Sequence, residues 1–117
     1  MTRKEAIAKA IAATQAGTLT GGPDAGVVPR DMSRLIDAIF GDDDEIWSHL
    51  VGAHDGSIDD AFALHQAVVP EQSIRIERRV GGWVVWLDSP HQGISDNPAR
   101  AWLLAILRAL HGMEGNQ

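Results

Sequence analysis

Apolar residues along this chain recur mostly at helical spacing, with one stretch that alternates as strands do. Thr2-Arg3-Lys4-Glu5 has capping-box spacing, which places the Thr2 hydroxyl to accept from a free backbone N–H. Ala6, Ile7, Ala10 and Ile11 follow on one face, and Gly17 supplies a stop, so a helix is predicted over residues 1–16. It carries only two large apolar side chains and is expected to attach loosely or to pack on a partner. Residues 17–29, with four glycines and two prolines, read as a flexible loop. A second helix is predicted from Pro29 to Phe40, with Met32, Leu35, Ile36, Ile39 and Phe40 on one face and Gly41 just past its end. Ile46 to Val51 fits either a short helix or extended chain. Ser57 opens a third helix, with Asp59 and Asp60 in the first turn, where the helix dipole favours anions. Ile58, Ala61, Phe62, His65, Val68 and Val69 share one face of it, and Pro70 ends it.

The alternating stretch predicts two antiparallel strands, Ser73 to Val80 and Trp83 to Asp88, joined at Gly81-Gly82. Ile74, Ile76 and Arg78 face one way in the first strand; Arg75, Glu77 and Arg79 face the other. Trp83 to Leu87 is apolar on both sides, as in a strand that is covered on both faces or joined to another copy. After a loop, Asn97 or Asp96 caps a last helix that has Pro98 in its first turn and Gly112 at its end. Trp102, Leu103, Ile106, Leu107 and Leu110 form one bulky arc, and Ala101, Ala105 and Ala109 form a ridge that admits close approach of another helix. Arg100, Arg108 and His111 make its only polar strip.

The predicted architecture is α+β, in the order ααα-ββ-α. It is a single domain over residues 1–117 with a compact core at 57–111. A lone hairpin is marginal in water. A homodimer that completes the antiparallel hairpin into a larger sheet or helix layer is therefore expected, with Trp83, Val85, Ala101, Ala105 and Ala109 at the interface.

Composition narrows the function classes. The 117 residues include no Cys, which removes disulfides, thiolate metal sites and a Cys nucleophile and fits a reducing compartment. Sixteen acidic residues against ten Lys and Arg give an acidic net charge of -6, which disfavours long nucleic acid as a partner. The N-terminus lacks the pattern of a signal peptide, and the longest apolar run, Ala101 to Leu107, is far shorter than the ~20 residues of a membrane span. A cytoplasmic protein with no membrane contact is expected.

The segments Ser57-Ile58-Asp59-Asp60-Ala61-Phe62-Ala63-Leu64-His65-Gln66-Ala67-Val68-Val69-Pro70 and Asn97-Pro98-Ala99-Arg100-Ala101-Trp102-Leu103-Leu104-Ala105-Ile106-Leu107-Arg108-Ala109-Leu110 flank the aromatic hairpin. Together they resemble the small phage and prophage "ABA sandwich" domain family, over residues 57–110. The matched positions are packing positions, and the chain departs from the pattern at Asp60, His65 and Glu71-Gln72. The resemblance implies a helix/sheet/helix layering and a phage-like origin, and it carries no catalytic residues.

No catalytic motif, metal site or cofactor is read from the sequence. The acidic run Asp42 to Glu45 lacks the alternation and glycine of a calcium loop and reads as a solvated loop. His65 lies on an apolar face and is expected to be buried and hydrogen-bonded. The best place for a small anionic ligand is the hairpin, where Arg75, Arg78 and Arg79 lie near Trp83 and Trp86. The leading expectation is a non-enzymatic, self-associating accessory protein. A module that binds or sequesters a small nucleotide or metabolite at the arginine/tryptophan hairpin is the first alternative, and a small hydrolase-like enzyme using His65 or His91 with a carboxylate is the second.

Overall fold

The computed structural model describes residues 2–19, 30–88 and 91–115. Its elements are α1 (Arg3–Ala16), α2 (Arg30–Phe40), α3 (Asp44–His54), α4 (Ile58–Val68), β1 (Ile74–Arg79), β2 (Gly82–Leu87), β3 (Gln92–Ser95) and α5 (Pro98–Gly115). The class is α+β: five helices and one antiparallel sheet of order β1-β2-β3 among the described residues. The 17–29 segment lies largely outside them. No helix among the described residues is long and apolar enough to cross a membrane.

Local chemistry sets most helix ends. The Thr2 hydroxyl accepts from the Glu5 N–H at 3.1 Å, Asp43 from Ile46 at 3.1 Å and Ser57 from Asp60 at 3.2 Å. Asn97 caps α5, its side-chain oxygen accepting from Ala99 and Arg100 at 2.9 and 3.1 Å. Gly17 and Gly41 close α1 and α2 with φ of 73° at each, where a glycine costs nothing. Part of the acidic run thus shapes a helix: Asp43 is the cap of α3, and Asp44 and Glu45 occupy its first turn.

The structure extends the expected order at two points. Ile46 to Val51 is helical, inside α3, so four helices precede the sheet. The stretch read as a loop before the last helix contains β3, which pairs antiparallel with β2 from Trp83↔Ser95 to Trp86↔Gln92. The hairpin turn also falls one residue early, at Val80-Gly81, which sets Arg79 opposite Gly82 and Arg75 opposite Trp86.

The core is built around α5. Residues Ala99, Ala101, Leu103, Ala105, Ile106, Leu107 and Ala109 are fully buried, and α5 packs on β3, β2, α1, α3 and α4. Each large side chain covered this way is worth ~1.5–3 kcal/mol. One chain therefore satisfies both packing faces of the last helix, including the alanine ridge. The bulky arc reaches the other helices. The ridge receives β3 instead of a partner helix, because Gly93 has no side chain: a Cβ there would lie 1.9 Å from the Ala101 carbonyl oxygen and 2.7 Å from the Ala105 nitrogen. The polar strip of α5 clamps the same assembly. Arg108 donates to the Gln92 carbonyl at 2.7 Å, and Arg100 Nε donates to the His54 carbonyl at the end of α3 at 2.9 Å.

Three expectations about faces and ends are corrected. First, α1 buries Ala6, Ile7, Ala10, Ala13 and Thr14 and packs on α5, its small residues permitting the close approach that two large ones could not supply. Arg3 fastens the start of α1 by donating to the Ile39 carbonyl at 2.9 Å and by pairing with Glu114. Second, the buried stripe of α4 is Ala61, Leu64 and His65, while Ile58 and Phe62 remain 40% and 55% exposed. The helix is rotated so that it meets α3 and α5 together. Third, α5 runs through Gly112 to Gly115, because Gly112 is a contact glycine: a Cβ there would meet the His91 ring at 2.8 Å.

Replacing Gly93 with Ala should force β3 away from α5 and lower unfolding stability by at least about 2 kcal/mol, as overpacking does. Urea denaturation of the variant beside the wild type measures this; an unchanged midpoint would show that the two layers separate freely.

Candidate functional site

The hairpin is the least covered element of the described chain. Every residue of β1 is exposed, although the strand is paired along its whole length to β2. It is an edge strand that overhangs the helix layer. On the side that faces α5, Val85 and Leu87 of β2 enter the core, while their partners Ile76 and Ile74 in β1 stay 40% and 38% exposed. Val80 at the turn is exposed as well.

Pairing parity fixes which way the β1 backbone points. The Leu87 N–H donates to the His91 carbonyl at 2.9 Å, on the β3 side of β2. In an antiparallel ladder hydrogen-bonded and non-hydrogen-bonded pairs alternate, so Leu87 and Ile74 do not exchange bonds with each other. A two-residue turn gives the same parity from the other end, with Arg79 and Gly82 as a bonded pair. The N–H and C=O groups of Ile74, Ile76 and Arg78 therefore point to the open edge, whereas those of Arg75, Glu77 and Arg79 are spent on β2.

The residues expected to bind a ligand divide between the two faces. Arg75 and Arg79 lie over Trp86, with guanidinium carbons 4.2 and 5.2 Å from the ring centroid. Arg78 lies on the opposite face, 5.8 Å from Trp83, which is half-buried against the core. The indole that gathers two arginines is thus Trp86, while Trp83 has Arg78; strand alternation sets these faces, and the turn position decides only that Arg75 stands directly opposite Trp86. A shallow cleft of about 360 Å³ opens beside Arg75 and Trp86 and is also lined by Ser73 and Asp88. Arg79 Nε donates to Glu77 at 3.1 Å, so a carboxylate already shares this surface.

Among the residues expected at an interface, Val85, Ala101, Ala105 and Ala109 are fully buried within one chain. A second copy cannot touch them without opening the core. Their apolar character is answered by α5 against β2 and β3. Trp83 alone keeps part of its surface.

The histidines serve the fold. His65 is 3% exposed, its Nδ1 accepts from the Trp102 indole N–H at 3.1 Å and its Nε2 donates to the Gln72 carbonyl at 2.9 Å. These bonds fix one neutral tautomer and use both ring nitrogens. The His91 ring lies against Gly112. The histidine–carboxylate pairs that form involve other residues. His49 Nδ1 is 2.9 Å from Asp60, whose carboxylate rests on Gly52 where a Cβ would stand 1.8 Å away, so the pair locks α4 onto α3. His54 is buried at the end of α3, with Nδ1 3.1 Å from the Asp55 carboxylate. Burial holds its pKa below the usual 6.5; the nearby Arg100 guanidinium lowers it further, against the hydrogen bond and charge of Asp55. No group of three or more His, Asp or Glu residues that could hold a metal ion occurs among the described residues.

The chain matches no protein-family model, and no curated protein or solved structure is significantly similar to it. Function must therefore be read from the surface itself.

The state of His54 gives a pH dependence. Its folded-state pKa lies below the unfolded value near 6.5, so between the two the unfolded chain holds a proton that the folded chain does not. This contribution to stability is complete above about pH 6.5 and is lost as pH falls through that value, by up to ~1.4 kcal/mol per unit, until the folded imidazole takes a proton. Urea melts from pH 8 to pH 5 on wild type and His54→Gln should show a steeper loss for wild type below about pH 6.5. Parallel curves would contradict the assignment.

Proposed function

We propose that this chain is a non-enzymatic, self-associating accessory protein of phage or prophage type that assembles through the open edge of β1. The observation that carries the reading is the exposure of β1 along its full length, with two apolar side chains and a row of backbone groups at the sheet edge that pair with no strand among the described residues. Such an edge is a template for another strand. The phage-type part of the reading rests on the residue pattern of 57–110. An enzyme is disfavoured: His65, one of the two histidines considered for catalysis, has both ring nitrogens committed, and the His49–Asp60 pair joins α3 to α4. The cytoplasm is the compartment that fits a chain without cysteine.

One observation favours a second reading, a small-anion or nucleotide module. Two guanidinium groups flank the Trp86 ring beside an open cleft, an arrangement suited to a phosphate and a stacked base. Asp88 and Glu77 at the same surface count against it.

The two readings separate by experiment. Sedimentation or light scattering over a range of concentrations should give a mass that rises from one chain toward two. Inorganic phosphate or a nucleoside monophosphate should leave the melting temperature unchanged. A fixed monomer mass would contradict self-association, and ligand-dependent thermal stabilisation would favour the anion module, because a ligand that binds only the native state stabilises it.

A further inference from the structure

We infer that a second copy of this chain adds to β1 antiparallel, about a two-fold axis through Ile76, and that two reciprocal Arg75–Glu77 ion pairs fix the register. The inference rests on the self-association reading and specifies how the pairing is made. Two three-stranded sheets would then join into one of six strands, with β1 and its copy at the centre.

The choice of register follows from three constraints. A two-fold axis normal to the sheet keeps every side chain on its own face, so a residue of β1 can stand only opposite one of the same face. The backbone groups available at the edge belong to Ile74, Ile76 and Arg78, and the axis can pass through one of these or through a position between them; centring on Arg75, Glu77 or Arg79 sets that charge against its own copy, which disfavours all three. Centring on Ile74 carries most of the strand past its partner. Centring on Arg78 sets that arginine against its own copy and pushes the overlap into the turn. Centring on Ile76 gives a long overlap without facing like charges, with Ile76 opposite Ile76 of the second copy, Ile74 opposite Arg78, and Arg75 opposite Glu77 in both directions.

That register leaves no like charges directly opposite each other. The arginine–glutamate pairs fall at the non-hydrogen-bonded positions of the new ladder, where facing side chains lie closest. Ile76 and its copy meet on the face toward the helices, covering apolar surface that a single chain leaves 40% exposed. Of the features that guard edges against pairing, β1 has no proline or lysine, and its one charge on the side toward the helices, Arg78, falls opposite Ile74 in this register. Here the outward face of β1 reads Arg75, Glu77, Arg79, and opposite signs two residues apart are complementary to the same sequence running backwards. This self-complementarity selects a second copy as the occupant over an unrelated strand.

The existing contacts permit the exchange. Glu77 accepts from Arg79 in the single chain, but both side chains are about half exposed, and such a pair is readily traded or shared. The Arg75 guanidinium carbon lies 4.2 Å from the Trp86 ring centroid, a contact that does not use its N–H groups as hydrogen-bond donors to another side chain. The surface involved is one strand, which places the assembly in the small, weak class of interfaces, dependent on concentration and weakened by salt.

The decisive experiment uses Arg75→Glu and Glu77→Arg in the full chain, alone and mixed. Each variant alone sets like charges opposite each other twice and should weaken self-association about tenfold or more. In an equimolar mixture, the two carboxylates of an Arg75→Glu chain face the two guanidinium groups of a Glu77→Arg chain, so the mixture should recover wild-type association or better. Both positions are exposed, and the mixture itself reports whether the variant chains remain competent to pair. If the wild type associates but the variants associate equally well, or the mixture binds no more tightly than its components, the register is overturned and the self-association reading stands. If the wild type remains monomeric at high concentration, both are overturned.

Discussion

The contact between Gly93 of β3 and the Ala101–Ala105 turn of α5 sets the distance between sheet and helix, and the remaining packing depends on that distance. A side chain at position 93 would collide with the helix backbone, so the strand lies directly on α5. This seat covers the alanine ridge. It also brings Val85 and Leu87 of β2 into the core. With β2 and β3 on one side, the bulky side chains of α5 turn to α1, α3 and α4. Arg108 and Arg100 then fasten a strand and a helix end to α5 by donating to backbone carbonyls. Arg100 also places positive charge at the C-terminal end of α3, where the helix dipole favours it.

The same geometry leaves β1 outside. The sheet is seated on α5 through β2 and β3, and the third strand projects beyond the helices with both faces and one edge open. The helices and the two seated strands pack together, and the edge of β1 is the surface on which the proposed pairing with a second copy rests. The functional proposal thus depends on a surface that the fold leaves exposed.

Much of the helical framework is legible in the sequence because its signals are local. Thr2, Ser57 and Asn97 cap as their spacing implies, and the apolar stripe of α2 is the buried one, with Leu35, Ile36 and Ile39 inward. What escapes is non-local. β3 is four residues long and contains a glycine, so propensity argues against it; its strand character comes from pairing with β2 and resting on α5. Without β3, α5 lacks a cover within the chain, and the alanine ridge points to a partner instead. Alternation gives the faces of the hairpin, but a turn displaced by one residue shifts each partner by two, so that Arg75 stands opposite Trp86 instead of Asp88. His65 is legible as a buried, hydrogen-bonded group, whereas its partners, Trp102 and Gln72, come from other parts of the chain.

The central claim is that one chain satisfies α5 by itself and leaves the edge of β1 for a second copy. Amide hydrogen exchange at low and high protein concentration tests both halves at once. The account predicts strong protection of the α5 amides at every concentration. It predicts added protection at high concentration for Ile74, Ile76 and Arg78, with Arg75, Glu77 and Arg79 unchanged because they already bond to β2. Protection of α5 that depends on concentration, or β1 amides that exchange identically at both, would contradict it.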